Sequence, residues 1–372
     1  MRIRPILLAS LALLCSACMS RIDFRSGEDE NVLIVNARFY TDETHHGIQV
    51  DMSTLRESTS TVTDADVDVF INGRYHSRAE FYTPVFDGLV TRAVVSYDPI
   101  LLPTGDYERR PGYYFDAELH PGDEISIEVT RGDLHASASA TVPDAVELVS
   151  VDTLRVRENP YTANADVLKC VARIRDVPGE RNWMRIANID HYDVMAHYGP
   201  GPEGETLTTW YTHTARMFFD DDPILRGDFH SSREQAAIRE TGLNLPLVTN
   251  SYCIFTDSGF ADSEHTAEIY MNGSFNYTPD LGWPVPRTMS CSLTIRLLTM
   301  NYDEYLYLLS YTNAETNGLL NSGDILAQML FEPVTFPSNV EGGLGFVCAD
   351  AVSAVRIDFP QKYIPAETID QQ

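Results

Sequence analysis

Apolar and polar residues alternate one by one along several segments of this 372-residue chain. The clearest runs lie at residues 67–71, 125–129 and 136–142, and turn signals such as Asn72-Gly73 follow or separate them. Because successive side chains of a strand point to opposite faces, this pattern buries one face and leaves the other in water. Short strands of this kind, joined by tight turns, predict antiparallel sheets packed as a sandwich.

The chain is long enough for two structural units. Alternation over residues 31–143 ends at Pro143 and predicts a β-sandwich as the first unit. Residues 147–360 predict a larger β-rich unit, in which two short helices interrupt the strands. The first helix is predicted to begin at Ser232, with Gln235 completing a capping box, and the second at Asn301 with Glu304.

The amino terminus has the pattern of an export signal. Arg2 and Arg4 precede an apolar run over residues 6–14 that is too short to span a bilayer. Ser16, Ala17 and Cys18 follow, and this series resembles a bacterial lipobox. We therefore expect a signal peptide at residues 1–17 and a lipidated Cys18 that begins a tether over residues 18–30. The alternative is a secreted protein cut by an ordinary signal peptidase.

The charge balance limits the partners of the chain. Its 54 acidic residues outnumber 27 basic ones, which gives a formal net charge of −27. Such a surface repels phosphate backbones and anionic headgroups, so we expect no nucleic-acid partner and no docking on headgroups. Contact with a bilayer is expected only through acyl chains on Cys18, since two or more chains give stable anchoring.

An ordered series of short motifs resembles a known family. It comprises DVPGERN at residues 176–182, DDDPIL at 220–225, FTD at 255–257 with Phe260, and SNVEGGLG at 338–345. The first unit adds PGD at 121–123, followed by ASA and VP segments. The series is similar to the Bacteroidetes lipoproteins of domain-of-unknown-function family 4249, and the likeness covers nearly all of the mature chain.

The resemblance implies a cell-envelope lipoprotein whose first domain is an immunoglobulin-like β-sandwich. Such proteins are often encoded beside TonB-dependent outer-membrane receptors. We therefore expect an outer-membrane, lipid-anchored protein, facing either the periplasm or the cell surface, that assists such a receptor or holds its ligand. The alternatives are a structural or adhesion lipoprotein and, less favoured, an envelope hydrolase. The family has no established reaction, so the resemblance implies no catalytic residue and no cofactor.

Two groups of residues are candidates for ligand binding. Asn339, Gly342, Gly343 and Gly345 form a glycine-rich segment that could approach a ligand closely. The alternative is a tight turn between strands. Trp210 and Trp283 lie in or near predicted loops and could stack on a ligand, or they could pack at a strand edge.

Residue spacing favours neither a metal site nor a catalytic site. The triplet Asp220, Asp221 and Asp222 offers oxygen ligands for calcium, but an Asp-Asp-Pro series is also typical of a turn and helix cap. The histidine groups, His45-His46 and His191 with Asp193 and His197, lack the spacing and third ligand of a zinc site. No Gly-x-Ser-x-Gly motif occurs. We expect hydrogen-bonded histidines, no metal and no enzyme.

The mature chain keeps four cysteines besides Cys18, namely Cys170, Cys253, Cys291 and Cys348. An oxidising envelope permits disulfides among them. However, Cys170 and Cys291 fall on apolar strand faces, where cysteine packs as a small hydrophobic residue. Reduced core cysteines are therefore favoured over one disulfide.

Overall fold

The computed structural model describes residues 31–53, 60–82, 93–96, 111–156, 167–198, 205–240, 247–272, 287–316 and 336–364. Within these ranges the protein is mainly β, as the alternation predicts, with nineteen strands and three α-helical segments. The signal peptide, Cys18 and the whole tether lie outside the described residues. None of the helices in the described ranges is both long and apolar enough to cross a membrane.

The described strands range in length from two to eighteen residues. In chain order they are β1 Leu33–Tyr40, β2 His45–Met52, β3 Ser60–Thr61, β4 Asp66–Ile71, β5 Arg74–Arg78, β6 Glu80–Tyr82, β7 Ala93–Ser96, β8 Gly112–Asp116, β9 Glu124–Arg131, β10 Leu134–Thr141, β11 Glu147–Val156, β12 Val167–Arg175, β13 Trp183–Tyr198, β14 Glu205–Thr214, β15 Met217–Phe218, β16 Ile254–Thr256, β17 Glu264–Asn272, β18 Arg287–Met300 and β19 Val347–Ile364.

One sheet of eleven strands runs through the molecule. Its order is β6-β8-β2-β1-β19-β18-β13-β14-β7, with β3 on β2 and β16 on β13. Two four-stranded sheets, ordered β10-β9-β4-β5 and β11-β12-β17-β15, accompany it. The predicted turn at Asn72-Gly73 joins β4 to β5, and both residues adopt the positive φ that such a turn requires.

The first core lies between one half of the large sheet and the sheet of β4, β5, β9 and β10. Side chains predicted to face inward are buried there, including Val67, Val69 and Ile127. The same core also contains Val347 and Ala349 of β19. The amino-terminal unit is thus completed by a strand from the opposite end of the chain.

The pairing of β1 with β19 explains this arrangement. The two strands are parallel, with Ala37 opposite Val347 and Tyr40 opposite Asp350, and β19 continues antiparallel to β18. The sheet therefore passes without interruption from the first unit into the second. A second core forms where β13 and β18 face the sheet of β11, β12 and β17.

The helical segments lie in the second unit: α1 Pro223–Arg226, α2 Ser232–Glu240 and α3 Tyr302–Thr316. The helices predicted after Ser232 and Asn301 are therefore present. The predicted cap of α2 is wrong by one residue. The Glu234 N–H donates to Ser231 Oγ at 3.1 Å and the Ser231 N–H donates to Glu234 Oε2 at 2.8 Å, so the capping box is Ser231 with Glu234.

Candidate functional site

A cleft of about 700 Å³ opens between α1, β16 and α3. Its floor and walls combine apolar side chains with a polar rim. The described residues that line it are Pro223, Ile224, Gly227, Asp228, Phe229, His230, Leu247, Val248, Ile254, Phe255, Thr256, Ser258, Gly259, Tyr305, Leu309 and Asn313. A volume of this size suits a small organic molecule.

The α1 wall is fixed by side-chain caps and braces. Asp222 accepts hydrogen bonds from the N–H groups of Ile224 and Leu225, at 2.9 and 3.1 Å, and so caps α1. The buried side chain of Asn250 donates to the Leu225 carbonyl at 2.7 Å and accepts from the Ile254 N–H at 3.0 Å. These bonds join α1 to β16, so this side of the cleft is held before any ligand binds.

Asp222 has a second partner that reinforces the cap. His265 Nε2 lies 2.9 Å from Asp222 Oδ2, and the Phe260 ring packs against the imidazole. Although burial alone raises the pKa of Asp222, the bonds from His265 and the α1 backbone outweigh it and lower the pKa. The carboxylate therefore stays ionised and capping.

The opposite wall is one face of α3. Tyr305, Leu309 and Asn313 recur every four residues and line the cleft. The adjacent stripe begins at Glu304 and includes Leu308, both of which are almost fully buried. The helix thus presents one face to the cleft and another to the interior.

The pKa of Tyr305, in the α3 wall of the cleft, is shifted from its ordinary value. Burial raises its pKa above the ordinary value, and the negative charge of Asp228 raises it further. A tyrosine shifted in this direction keeps its proton at neutral pH. It can donate a hydrogen bond to a ligand, but it is a poor base or nucleophile.

A cluster of charged side chains lies buried behind α3. Arg38 Nη1 is 2.5 Å from Glu304 Oε1 and 3.5 Å from Asp350 Oδ2, and all three side chains are at most 6% exposed. Burial and the adjacent Glu304 raise the pKa of Asp350 well above its ordinary value. Two buried carboxyl groups beside one guanidinium thus favour retention of a proton.

A second group of charges extends this cluster along β18. Arg296 lies 2.5 Å from Asp42 and 3.3 Å from Glu43, which belong to the turn between β1 and β2. Its guanidinium also lies 4.4 Å from the centre of the Tyr40 ring. Burial raises the pKa of Glu43 to about 7, although Arg296 opposes the shift. These contacts connect the two units through polar groups.

The predicted glycine-rich segment packs against the chain's own backbone. Gly345 has φ +117°, and a Cβ there would lie 2.0 Å from the Val35 carbonyl oxygen. A Cβ at Gly342 would lie 2.4 Å from the His135 oxygen, and one at Gly343 would lie 2.7 Å from the Leu33 oxygen. The tight-turn alternative therefore accounts for these glycines by close approach to β1 and β10.

Asn339 has a structural role in the same segment. Its side chain donates to the Val347 carbonyl at 2.7 Å and accepts from the Val347 N–H at 2.9 Å. It thereby holds the segment against the start of β19. The structure brings Asn339 and the three glycines together, but it places them away from the residues that line the cleft.

The two tryptophans predicted as ligand-binding residues have different outcomes. Trp210 lies within β14, opposite Asp193 of β13, rather than in a loop. Trp283 lies outside the described residues, as does Cys18. Their proposed roles stay predictions.

The acidic and histidine groups have ordinary structural partners. Asp222 is the helix cap described above, which confirms the turn-and-cap alternative for the Asp220–Asp222 triplet. His45 pairs with Asp116, and His46 is buried with Nε2 3.1 Å from the Ala117 carbonyl.

The remaining histidine group follows the same pattern. His191 Nε2 lies 3.1 Å from Asp193 Oδ1. The side chain of His197 lies outside the described part of the structure. Among the described residues no group of three or more His, Cys, Asp or Glu side chains could hold a metal ion.

Cys170, Cys253, Cys291 and Cys348 are buried, and none of the four forms a disulfide with another, in agreement with the prediction of reduced core cysteines. Burial is the largest cause that raises the pKa of Cys170, Cys253 and Cys348. Such thiols remain protonated and unreactive.

The cleft and the buried charges were not predicted from the sequence. A weak signal exists for the charges, because Arg296 and Asp350 interrupt apolar strand segments where a charge requires a buried partner. The cleft has no such signal, since α1, β16 and α3 are brought together only by the tertiary fold.

The described structure is that of a mainly β protein with a cleft large enough for a small molecule. The sequence matches the family described as Domain of unknown function (DUF4249) over residues 20–356. The protein belongs to this family, as its ordered motifs predict. No curated protein matches the sequence.

Proposed function

We propose that this protein is a lipid-anchored, non-enzymatic protein of the bacterial outer membrane that holds a small ligand for a TonB-dependent receptor. The observation that carries the ligand-holding role is the cleft of about 700 Å³ between α1 and α3. Its volume falls in the range of small-molecule sites, and its lining combines apolar side chains with polar groups that could orient a ligand. Asn250 and Asp222 hold one wall in place, which reduces the cost of ordering on binding.

The groups at the cleft favour binding over catalysis. Tyr305 has its pKa raised, away from the range of a base at neutral pH. The cysteines are buried, and their raised pKa values disfavour a thiolate nucleophile. The neutral hydroxyl of Tyr305, beside apolar side chains, can donate a hydrogen bond to a bound ligand.

The anchor rests on the amino-terminal sequence. A basic segment, an apolar run and Ser16-Ala17-Cys18 form a lipoprotein signal. Diacylation or triacylation of Cys18 would hold the acidic body at the membrane without headgroup contacts. The outer-membrane location, the Bacteroidetes source and the receptor partner are proposed from the resemblance of the motifs.

The two sheets around the first core support an immunoglobulin-like classification of the amino-terminal unit. We include this classification in the proposal, with residues 31–143 as the first domain and residues 147–360 as the second. The contribution of Val347 and Ala349 to the first core means that this domain includes β19 as well.

Replacing Cys18 by Ala tests the anchor. The wild-type protein should sediment with outer membranes, whereas the variant should remain in the soluble periplasmic or secreted fraction. Retention of the variant on membranes would contradict the anchor. Purification of the wild-type protein in mild detergent should recover a TonB-dependent receptor, and repeated recovery without one would refute the receptor role.

The ligand-holding role is tested by filling the cleft. Ser258 lines the cleft and is exposed, so Ser258→Trp should occupy the cleft without disturbing the core. Small molecules released on denaturation from protein purified from its own envelope should be found by mass spectrometry in the wild type and be lost in the variant. Identical small-molecule profiles would refute a ligand held at this site.

A further inference from the structure

The charge of the cleft lining is one-sided. Among the described lining residues Asp228 is the only Asp or Glu, and no Lys or Arg occurs. In the part of the chain that the structure describes, Asp228 is exposed and forms no ion pair. Its carboxylate is therefore available to a ligand at the rim.

The position of Asp228 is set by the backbone around it. The Gly227 N–H donates to the Pro223 carbonyl at 3.1 Å, and Gly227 has a positive φ of 58° that turns the chain out of α1. Two residues on, the His230 N–H donates to the Val248 carbonyl at 2.9 Å. These bonds fix both ends of the short segment that carries the carboxylate.

Aromatic residues belong to the same lining. Phe229, Phe255 and Tyr305 all line the cleft. The faces of aromatic rings carry negative partial charge and attract ammonium groups, most strongly where water is excluded. Burial is the largest cause of the raised pKa of Tyr305; the charge of Asp228 raises this pKa further, and the charge of Arg181 opposes it.

The neighbouring arginines, Arg181 and Arg226, lie outside the described lining of the cleft. The guanidinium of Arg181 lies 5.8 Å from the centre of the Trp183 ring. His230 belongs to the lining, but its Nδ1 lies 3.5 Å from the Glu234 carboxylate. The net charge of −27 over the whole chain adds a background potential that repels anions.

From this arrangement we propose that the cleft selects a small amphipathic cation, in which an aromatic or aliphatic body carries an ammonium group. The body packs against the apolar lining residues Ile224 and Leu309, and the ammonium group lies near Asp228 and the Tyr305 side chain. This inference rests on the proposed ligand-holding function and specifies the chemical class of the ligand.

Two probes with the same body and opposite charges test the inference. Tryptamine and indole-3-propionate share an indole ring, but one carries an ammonium group and the other a carboxylate. Isothermal titration calorimetry on the full mature protein in detergent at pH 7 should show tryptamine binding at least tenfold more tightly. Asp228→Asn should weaken tryptamine binding about fivefold, as expected for a partly exposed ion pair of about 1 kcal/mol.

Asp303→Asn is the matched control, because Asp303 is exposed in the first turn of α3 and lies outside the lining. It removes the same charge from the same region and should leave the tryptamine affinity unchanged. An equal loss in both variants would show a general field and would overturn the assignment to Asp228. Ser258→Trp should abolish tryptamine binding and so locate the probe in the cleft.

The remaining outcomes separate this inference from the proposed function. If indole-3-propionate binds as tightly as tryptamine and Ser258→Trp abolishes both, the cleft holds ligands and the selection for cations is wrong. If neither probe binds the wild type, the cation inference fails. The ligand-holding function itself is refuted only if the small molecules released from the wild type and from Ser258→Trp are also identical.

Discussion

Replacing Glu43 by Gln should stabilise the protein at pH 8 much more than at pH 5. The Glu43 side chain is only 15% exposed, and burial raises its pKa from 4.5 to about 7 in the folded state. Between these two values the folded state binds a proton that the unfolded state has lost. Stability from this group is therefore fully present below pH 4.5 and falls as the pH rises towards and through 7.

The size of the effect follows from the shift. The shift of the pKa from 4.5 to about 7 corresponds to about 3 kcal/mol in total, most of which is lost between pH 5 and pH 8. Gln has nearly the same shape and can still accept a hydrogen bond from Arg296, but it does not ionise. Asp42, 2.5 Å from Arg296, remains as the counter-charge.

Urea denaturation of the wild type and Glu43→Gln at pH 5, 6, 7 and 8 measures the difference in unfolding free energy. The difference should grow with pH in favour of the variant and level off near pH 8. Glu80→Gln is the control, because Glu80 is exposed at the edge of the large sheet. A wild-type-to-variant difference that stays constant within about 0.5 kcal/mol across this range would refute the reasoning.

Three further changes test the packing, the buried charges and the thiols. Gly345→Ala should cost at least about 3 kcal/mol of unfolding free energy, because the backbone has φ +117° and the added Cβ overlaps a β1 carbonyl oxygen; a loss under 1 kcal/mol would contradict this. Arg38→Met should lower the unfolding free energy by about 3–5 kcal/mol, because it leaves Glu304 without its counter-charge. If chemical denaturation gives nearly the same unfolding free energy for this variant and the wild type, the cluster is dispensable for stability. Ellman's reagent should titrate the four buried thiols only after unfolding, and reaction in the native protein would show that they are accessible.

Local patterns in the sequence predict local structure well. The alternation around Val67 and Ile127 identifies the buried faces of β4 and β9, because period two is a property of the strand alone. The Asp222-Pro223 pair likewise predicts the start of α1, since cap and first turn are neighbours in sequence.

Patterns of this kind do not specify which distant strands pair. The parallel contact of β1 with β19 depends on the assembled sheet, and neither strand carries a residue that identifies the other. Glu304 is a second example of a tertiary partner that the local sequence pattern does not identify. Its spacing from Asn301 is that of a capping residue, yet its carboxylate is buried against Arg38. The position of the cleft depends on such distant contacts, because the Glu304–Arg38 ion pair holds α3 against β1.

The pairing of the first strand with the last has a consequence for how the protein is made. Synthesis proceeds from the amino terminus, so β1 lacks one of its two neighbours until residues 347–350 have been produced. A chain cut short before this point would leave the edge of β1 open and its core without Val347 and Ala349. The amino-terminal unit can therefore be completed only after residues 347–350 have been translated.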